Sequence, residues 1–235
     1  MNALKEILVQ RLRQVRERME RACARAGRSP DSVTLVAVTK MLEPEVAAEL
    51  LTLGVTDFGE NRPQELWRKA AAVPAGRWHL IGHLQRNKVD KTLSQATLIH
   101  SVDSLRLLEA IEAEAMRQGR PAGVLLEVNC SGEEAKQGFE PDQVLELADK
   151  ISSLRQVGVR GLMTMAALTD DPEKARPAFR HLAAIAASLR TKLAGTPHTM
   201  DQLSMGMSGD FEVAIEEGAT LIRVGTTLVG DLPPP

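Results

Sequence analysis

Tyrosine is absent from this chain of 235 residues. That removes the phenol that many acid–base sites use. Cysteine is scarce: Cys23 and Cys130 stand far apart with no Cys-x-x-Cys spacing, so neither a disulfide framework nor a zinc cage is indicated. Both are expected to be reduced. No stretch approaches the roughly 18 uninterrupted apolar residues of a membrane span, and segment 1–28 is too charged to contain the apolar region of a signal peptide. The expectation is a cytoplasmic protein with no membrane partner. A formal charge of -2 gives no global reason to expect nucleic acid as a partner either. Proline- and glycine-rich linkers are also missing, since Pro74-Ala75-Gly76 and Gly119-Arg120-Pro121 read as ordinary turns, so residues 1–235 are expected to form one domain.

What is present is periodic. Leu4, Leu8, Leu12, Val15, Met19, Ala22 and Ala26 recur every three or four residues, the stripe of an amphipathic helix that Gly27 stops. Its other face is rich in arginine and reads as a solvated outer surface. Strand-like runs then follow at 34–39, 55–58, 78–82, 97–101, 124–129, 157–163, 202–205 and 221–224, eight in all, with helical patterns at 43–53, 62–72, 86–94, 104–118, 141–154, 172–193 and 209–217 between them. Strict alternation implies parallel strands with right-handed crossovers, and eight units in this length point to a closed (β/α)8 TIM barrel. A doubly wound open sheet is the alternative, disfavoured because no Gly-x-Gly-x-x-Gly follows the first strand. The segment after the eighth strand is too short for a full outer helix, so the N-terminal helix is expected to cover that place.

In such a barrel the chemistry lies where strands end and their loops begin. The first strand ends at Lys40, the second at Glu60-Asn61, the third at Gly82-His83, the sixth at Met163-Thr164-Met165. A lysine at the end of a buried strand is a candidate Schiff-base amine, because desolvation favours the neutral, nucleophilic form; it is also a lysine that can reach water along its own stem. The last two strand ends, Ser204-Met205-Gly206-Met207-Ser208 and Arg223-Val224-Gly225-Thr226, can hold a phosphate through glycine-permitted close approach and free N–H groups, or simply form turns. Ser204 offers a hydroxyl there, and Ser208 is placed to cap the helix opening at Gly209. A phosphate cradle and a Schiff-base lysine facing one mouth suggest pyridoxal 5'-phosphate.

Segments 37–40, 58–65 (Phe58-Gly59-Glu60-Asn61 onward), 78–88 (Trp78-His79-Leu80-Ile81-Gly82-His83-Leu84-Gln85), 161–163, 203–210 (Leu203-Ser204-Met205-Gly206-Met207-Ser208-Gly209-Asp210) and 222–230 resemble, in order and over nearly the whole chain, the pyridoxal phosphate homeostasis proteins, the YggS or PROSC family. The resemblance implies a single barrel like the N-terminal domain of alanine racemase, a fold type III barrel without the second β domain. It implies that Lys40 bonds the cofactor, that Ser204, Gly225 and Thr226 hold its phosphate, that Arg223 faces the pyridine nitrogen, and that Asn61, His79 and Met163 line the ring. A guanidinium at that nitrogen opposes its protonation, which makes the cofactor a weaker electron sink. Lys136, in the loop after the fifth strand, is a second amine near the mouth or a solvated loop lysine. The chain departs from the family pattern at Arg62-Pro63 and in its proline-rich tail.

Racemisation needs an acid–base group on each face of the substrate. In alanine racemase the second is a tyrosine that comes with the β-rich domain, and this chain has neither. The expected role is therefore to store or deliver pyridoxal phosphate, with recipient apo-enzymes as partners, as a monomer without turnover. The competing readings are a slow racemase using His83, Cys130 or a partner residue, and a class I aldolase-type barrel. No metal site is expected: His79 and His83, four apart on a strand and turn, stand about 13 Å from each other.

Overall fold

Runs such as Thr34-Leu35-Val36-Ala37-Val38 carry no helical stripe, and they are stable only in a parallel sheet covered by helices. The computed structural model describes residues 3–40, 42–132, 137–167 and 169–232. These runs form β1 (Thr34–Val38), β2 (Asp57–Glu60), β3 (Arg77–Leu80), β4 (Leu98–Val102), β5 (Ala122–Glu127), β6 (Val157–Met163), β7 (Gln202–Ser204) and β8 (Leu221–Val224). Each strand pairs in parallel with the next, and β8 closes on β1 with Leu221 opposite Thr34 and Arg223 opposite Val36. The expected TIM barrel is the observed architecture.

Around it lie α1 (Ala3–Arg25), α2 (Pro44–Thr52), α3 (Pro63–Ala72), α4 (Val89–Leu93), α5 (Leu105–Gln118), α6 (Pro141–Glu146), α7 (Ala148–Ser152), α8 (Arg176–Lys192), α9 (Phe211–Glu216) and α10 (Thr226–Val229). Proline opens α2, α3 and α6, where its missing N–H costs nothing. Ser104 caps α5 by accepting from the Leu107 N–H, and Gly119, left-handed at φ 61°, ends it. The helical stretch expected at 141–154 divides at Leu147, whose ψ of 0° interrupts the ladder, and the one expected from 172 begins as a 3-10 turn at Pro172–Ala175.

Leu8, Leu12, Val15, Met19 and Ala22 are buried, and the stripe they form packs α1 against α9 and α10, the place that the short α10 leaves uncovered. The arginine face of α1 is not merely solvated. Arg18 grips Glu212 through two bonds of 2.7 Å, Arg25 pairs with Glu216 at 2.6 Å, and Arg28 donates to the Ile215 carbonyl at 2.7 Å, so the basic residues clamp the N-terminal helix to α9.

The main core lies between sheet and helices, and a second apolar cluster of Val36, Leu98, Leu125, Met163 and Leu221 fills part of the barrel interior. The rest of the interior is polar. Asp57, His79, His100, Ser204 and Arg223 are buried there, each on a strand whose alternate residues point inward.

Candidate functional site

The carboxyl ends of the strands surround a cavity of about 570 Å³. Lys40 and Val38 line it from the end of β1, Asn61 after β2, Ile81 and Gly82 after β3, and Met165 after β6. The far wall is Ser208, Gly209 and Asp210 after β7 with Arg223, Gly225 and Thr226 of β8 and its loop. Gly82 is required for the rim: a Cβ there would stand 2.3 Å from the Asn61 carbonyl oxygen. Lys40 lines the cavity and is exposed, so the buried setting expected of a strand-end lysine is not what is observed.

Arg223 is 4% exposed. Its Nη1 donates to Ser204 Oγ at 2.5 Å and its Nη2 to the Thr164 carbonyl at 2.9 Å, which commits two of its five N–H donors. Burial pushes it down to about 10, against the pull of Asp210 and Glu127, so it is a cation at neutral pH. Beside it, the Ser208 hydroxyl accepts from the backbone N–H groups of Gly225 and Thr227, both at 3.3 Å, and so ties the loop after β7 to the loop after β8. Among the described residues the Gly209 and Thr226 N–H groups have no acceptor, and a Cβ at Gly209 would meet nothing within 4 Å. This is a concave wall of hydroxyls and unpaired N–H groups, suited to an anion.

The alanine racemase, N-terminal domain, family matches residues 10–233. The pyridoxal phosphate homeostasis protein of Aquifex aeolicus is 43% identical over 225 residues, 94% of this chain and 97% of that protein. The protein of the same name from Escherichia coli K12 is 35% identical over 224 residues, 93% of this chain and 94% of its own length. The chain belongs to the pyridoxal phosphate homeostasis protein family. A structure of PipY from Synechococcus elongatus with PLP bound superposes with a TM-score of 0.79 at 35% identity, covering 91% of this chain and all (100%) of that one. Alanine racemase of Clostridium difficile, at 16% identity and a TM-score of 0.75, covers 97% of this chain but has only 57% of its own length matched, which shows the shared barrel alone.

Of the residues that membership of the homeostasis family implies, the structure brings Lys40, Asn61, Arg223, Gly225 and Thr226 to the cavity. It does not bring Ser204, His79 or Met163 there. Ser204 is fully buried between His100 and Arg223, so the hydroxyl that faces the cavity is that of Ser208, four residues on. Nor does Ser208 cap a helix: α9 begins at Phe211, and Asp210 Oδ1 accepts from Met207 N at 2.6 Å. His79 points into the barrel a layer lower, between Asp57 and His100, and Met163 packs in the interior apolar cluster. Lys136 lies outside the described residues. His83 bonds Asp103 at 3.0 Å, well apart in partner from His79, and no group of three or more potential metal ligands occurs among the described residues.

Three sets of buried polar residues escaped the reading of strand ends. Glu127 is 5% exposed at the end of β5, and its carboxyl group has no hydrogen-bond partner among the described residues; burial and the Asp103 charge push it up to about 7, against Arg223 and His83. Lys69 of α3, fully buried, donates to Glu60 at 2.5 Å and to the carbonyl of Thr39 at 2.7 Å, while Thr39 Oγ1 donates to the same Glu60 oxygen at 2.6 Å. That triad fixes the residue before Lys40. Asp57 and His100 complete the set, and the available signal was a charged or imidazole residue at an inward position of an otherwise apolar strand.

Proposed function

We propose that this protein binds pyridoxal 5'-phosphate for its storage or delivery, with Lys40 as the attachment point. The observation that carries the reading is one cavity that joins a primary amine on one wall to a buried guanidinium and a hydroxyl-and-N–H wall on the other. Relatives named as pyridoxal phosphate homeostasis proteins, and PipY with PLP bound, support it. The aldehyde of the bound cofactor supplies an electrophile that condenses with a primary amine and releases water. Lys40 provides that amine. Ser208, Gly209 and Thr226 donate to the phosphate, Gly225 lets the backbone approach it, and Arg223 presents its remaining N–H groups to the ring nitrogen, with Asn61 at the ring edge. A fixed cation at that nitrogen keeps the ring from drawing electrons off an attached amino acid.

The role is holding rather than turnover. Among the described lining residues, Lys40 and Asp210 are the proton-transferring side chains, and Asp210 is committed to the Met207 N–H. Cys130 is pushed up to about 11 by burial, with Thr164 opposing, so it is a neutral thiol, and His83 lines a separate recess with Arg86 and Asp103. Large hydrophobics exposed among the described residues are the scattered Val9, Met116 and Met165, which supports a monomer that meets recipient apo-enzymes transiently. Among the described residues no helix is long and apolar enough to cross a membrane, and both cysteines are free, consistent with action in the cytoplasm.

Titration by absorbance with pyridoxal phosphate, and in parallel with pyridoxal lacking the phosphate, tests the reading. Saturable binding of the phosphate form, at least tenfold tighter than pyridoxal, is the expected result. Equal affinities would remove the phosphate wall from the account, and no binding of either would refute it. Deuterium exchange at the α-carbon of amino acids in heavy water separates holder from racemase: brisk exchange by the loaded protein would overturn the holding role.

A further inference from the structure

Five buried side chains on five strands join across the polar side of the barrel interior. Arg223 Nη1 meets Ser204 Oγ at 2.5 Å, Ser204 Oγ meets His100 Nδ1 at 2.8 Å, His100 Nε2 meets His79 Nδ1 at 2.9 Å, and His79 Nε2 meets Asp57 Oδ1 at 2.9 Å. Asp57 lies at the opposite end of the barrel from the mouth, where Arg77 holds it through bonds of 3.0 and 2.5 Å and Thr56 through one of 2.8 Å.

The direction of every bond follows from the two ends. A guanidinium only donates and an ionised carboxylate only accepts. Ser204 therefore accepts from Arg223, and its single proton, in a site with no exposure, has His100 Nδ1 as its acceptor. A neutral imidazole that accepts at Nδ1 carries its proton at Nε2, so His100 donates to His79 Nδ1, and by the same rule His79 donates from Nε2 to Asp57. No donor or acceptor in the run is left over. Were His79 a cation, both of its nitrogens would donate, His100 would donate to Ser204, and the Ser204 proton would be orphaned in a dry interior, an arrangement disfavoured by the desolvation of an unpaired donor.

The structure assigns a one-way donor chain, Arg223 to Ser204 to His100 to His79 to Asp57, that makes Asp57 a positioning residue for the cavity arginine from the far end of the barrel. Each donor polarises the next, so the carboxylate charge is felt at the guanidinium through three neutral groups. The chain also fixes the plane of Arg223 and leaves its unused N–H groups turned to the cavity. The electrostatics agree with it: burial, with the Arg223 charge adding to it, holds His100 well below the usual histidine range, hence neutral, and hydrogen bonds from His79, Arg77 and Thr56 outweigh burial and hold Asp57 at about 2, hence ionised.

The link to the cofactor rests on the reading of Arg223 given under Proposed function, so the test has one arm that needs no cofactor. In the free protein, labelled with nitrogen-15 at histidine, long-range proton–nitrogen spectra at pH 7.5 are expected to show His79 and His100 each with a protonated Nε2 and a bare Nδ1. Asp57→Asn removes the carboxylate charge that orders the run and leaves one acceptor oxygen where donors from His79, Arg77 and Thr56 now meet two, so His100, which does not touch position 57, is expected to lose its single tautomer. Ser204→Ala is expected to disturb His79, and Ser204→Thr to restore it, which keeps the test open if Asp57→Asn fails to fold. His100 protonated at Nδ1 in the wild type, or unmoved by the neighbouring variants, would overturn the chain. In the second arm, pyridoxal phosphate bound to Asp57→Asn or Ser204→Ala is expected to show a shifted absorbance band and about tenfold weaker binding, as for one lost charge-assisted bond. An unshifted band with the tautomers as assigned would overturn the positioning role. A wild type that takes up no cofactor would refute the proposed function and leave the first arm to decide the chain.

Discussion

Replacing Lys69 with methionine removes a fully buried ammonium and leaves the Glu60 carboxylate, 1% exposed, with the Thr39 hydroxyl as its remaining partner. Methionine fills nearly the same volume, so the change isolates charge from packing. Breaking a buried pair from one side costs about 3–5 kcal/mol, because the surviving ion keeps its desolvation penalty without its counterion. For a chain of this size each kcal/mol lowers the melting temperature by about 2–4 °C, which gives an expected drop of about 6–20 °C. The Thr39 carbonyl also loses its ammonium donor, and Thr39 is the residue before Lys40, so the variant is expected to attach pyridoxal phosphate more weakly as well. The double variant Lys69→Met with Glu60→Met removes both ions and is expected to recover most of the loss, with the Thr39 hydroxyl accounting for a remainder of about 1–2 kcal/mol. Urea and thermal unfolding of the two single variants and the double complete the cycle. A single-variant loss below about 1 kcal/mol, or a double variant that loses the sum of the singles, would show that the pair is not coupled and refute the reasoning.

Glu127 gives a pH signature. Its folded-state value of about 7 lies above the 4.5 of a free glutamate, so the folded state holds the proton more tightly, and the contribution of this group to stability is full below 4.5 and is lost as pH rises to 7. The group accounts for about 3 kcal/mol of that fall at 1.36 kcal/mol per unit; the expected outcome is that Glu127→Gln flattens the difference in urea midpoint between pH 5 and pH 8, and an unchanged difference would contradict it. At Gly209, where a side chain would meet open space, Gly209→Ala is expected to leave stability unchanged or raise it by about 0.4–1 kcal/mol. Gly209→Asp is expected to fold equally well and to bind pyridoxal phosphate at least tenfold more weakly, because the carboxylate faces the phosphate; isothermal titration of the two variants checks both points, and equal affinities would place the phosphate elsewhere.

The strands were legible because runs such as Val124-Leu125-Leu126 and Leu98-Ile99 admit little else between helical stripes, and the barrel followed from counting them. Lys40, Asn61, Arg223, Gly225 and Thr226 were legible because the strand-end rule needs only the end of each strand. The same rule placed Ser204 and Met163 at the mouth, and the resemblance added His79, but neither says anything of height, and the structure puts all three below the cavity wall. A side chain two residues nearer the strand start sits about 6–7 Å lower in the barrel, enough to exchange the cavity wall for the interior. Lys69 could not be read at all: its partner Glu60 is nine positions away and faces outward from β2, and the two meet only because α3 packs over that strand. The arginines of α1 were read as solvent-facing because their partners, Glu212 and Glu216, lie at the other end of the chain.

Whether Lys40 is the attachment point is settled most directly by reducing the protein with borohydride in the presence of pyridoxal phosphate and mapping the modified peptide. The account predicts one pyridoxyl group, on Lys40, and none in Lys40→Ala. A pyridoxyl group found on another lysine at equal yield, or attachment undiminished in Lys40→Ala, would contradict it.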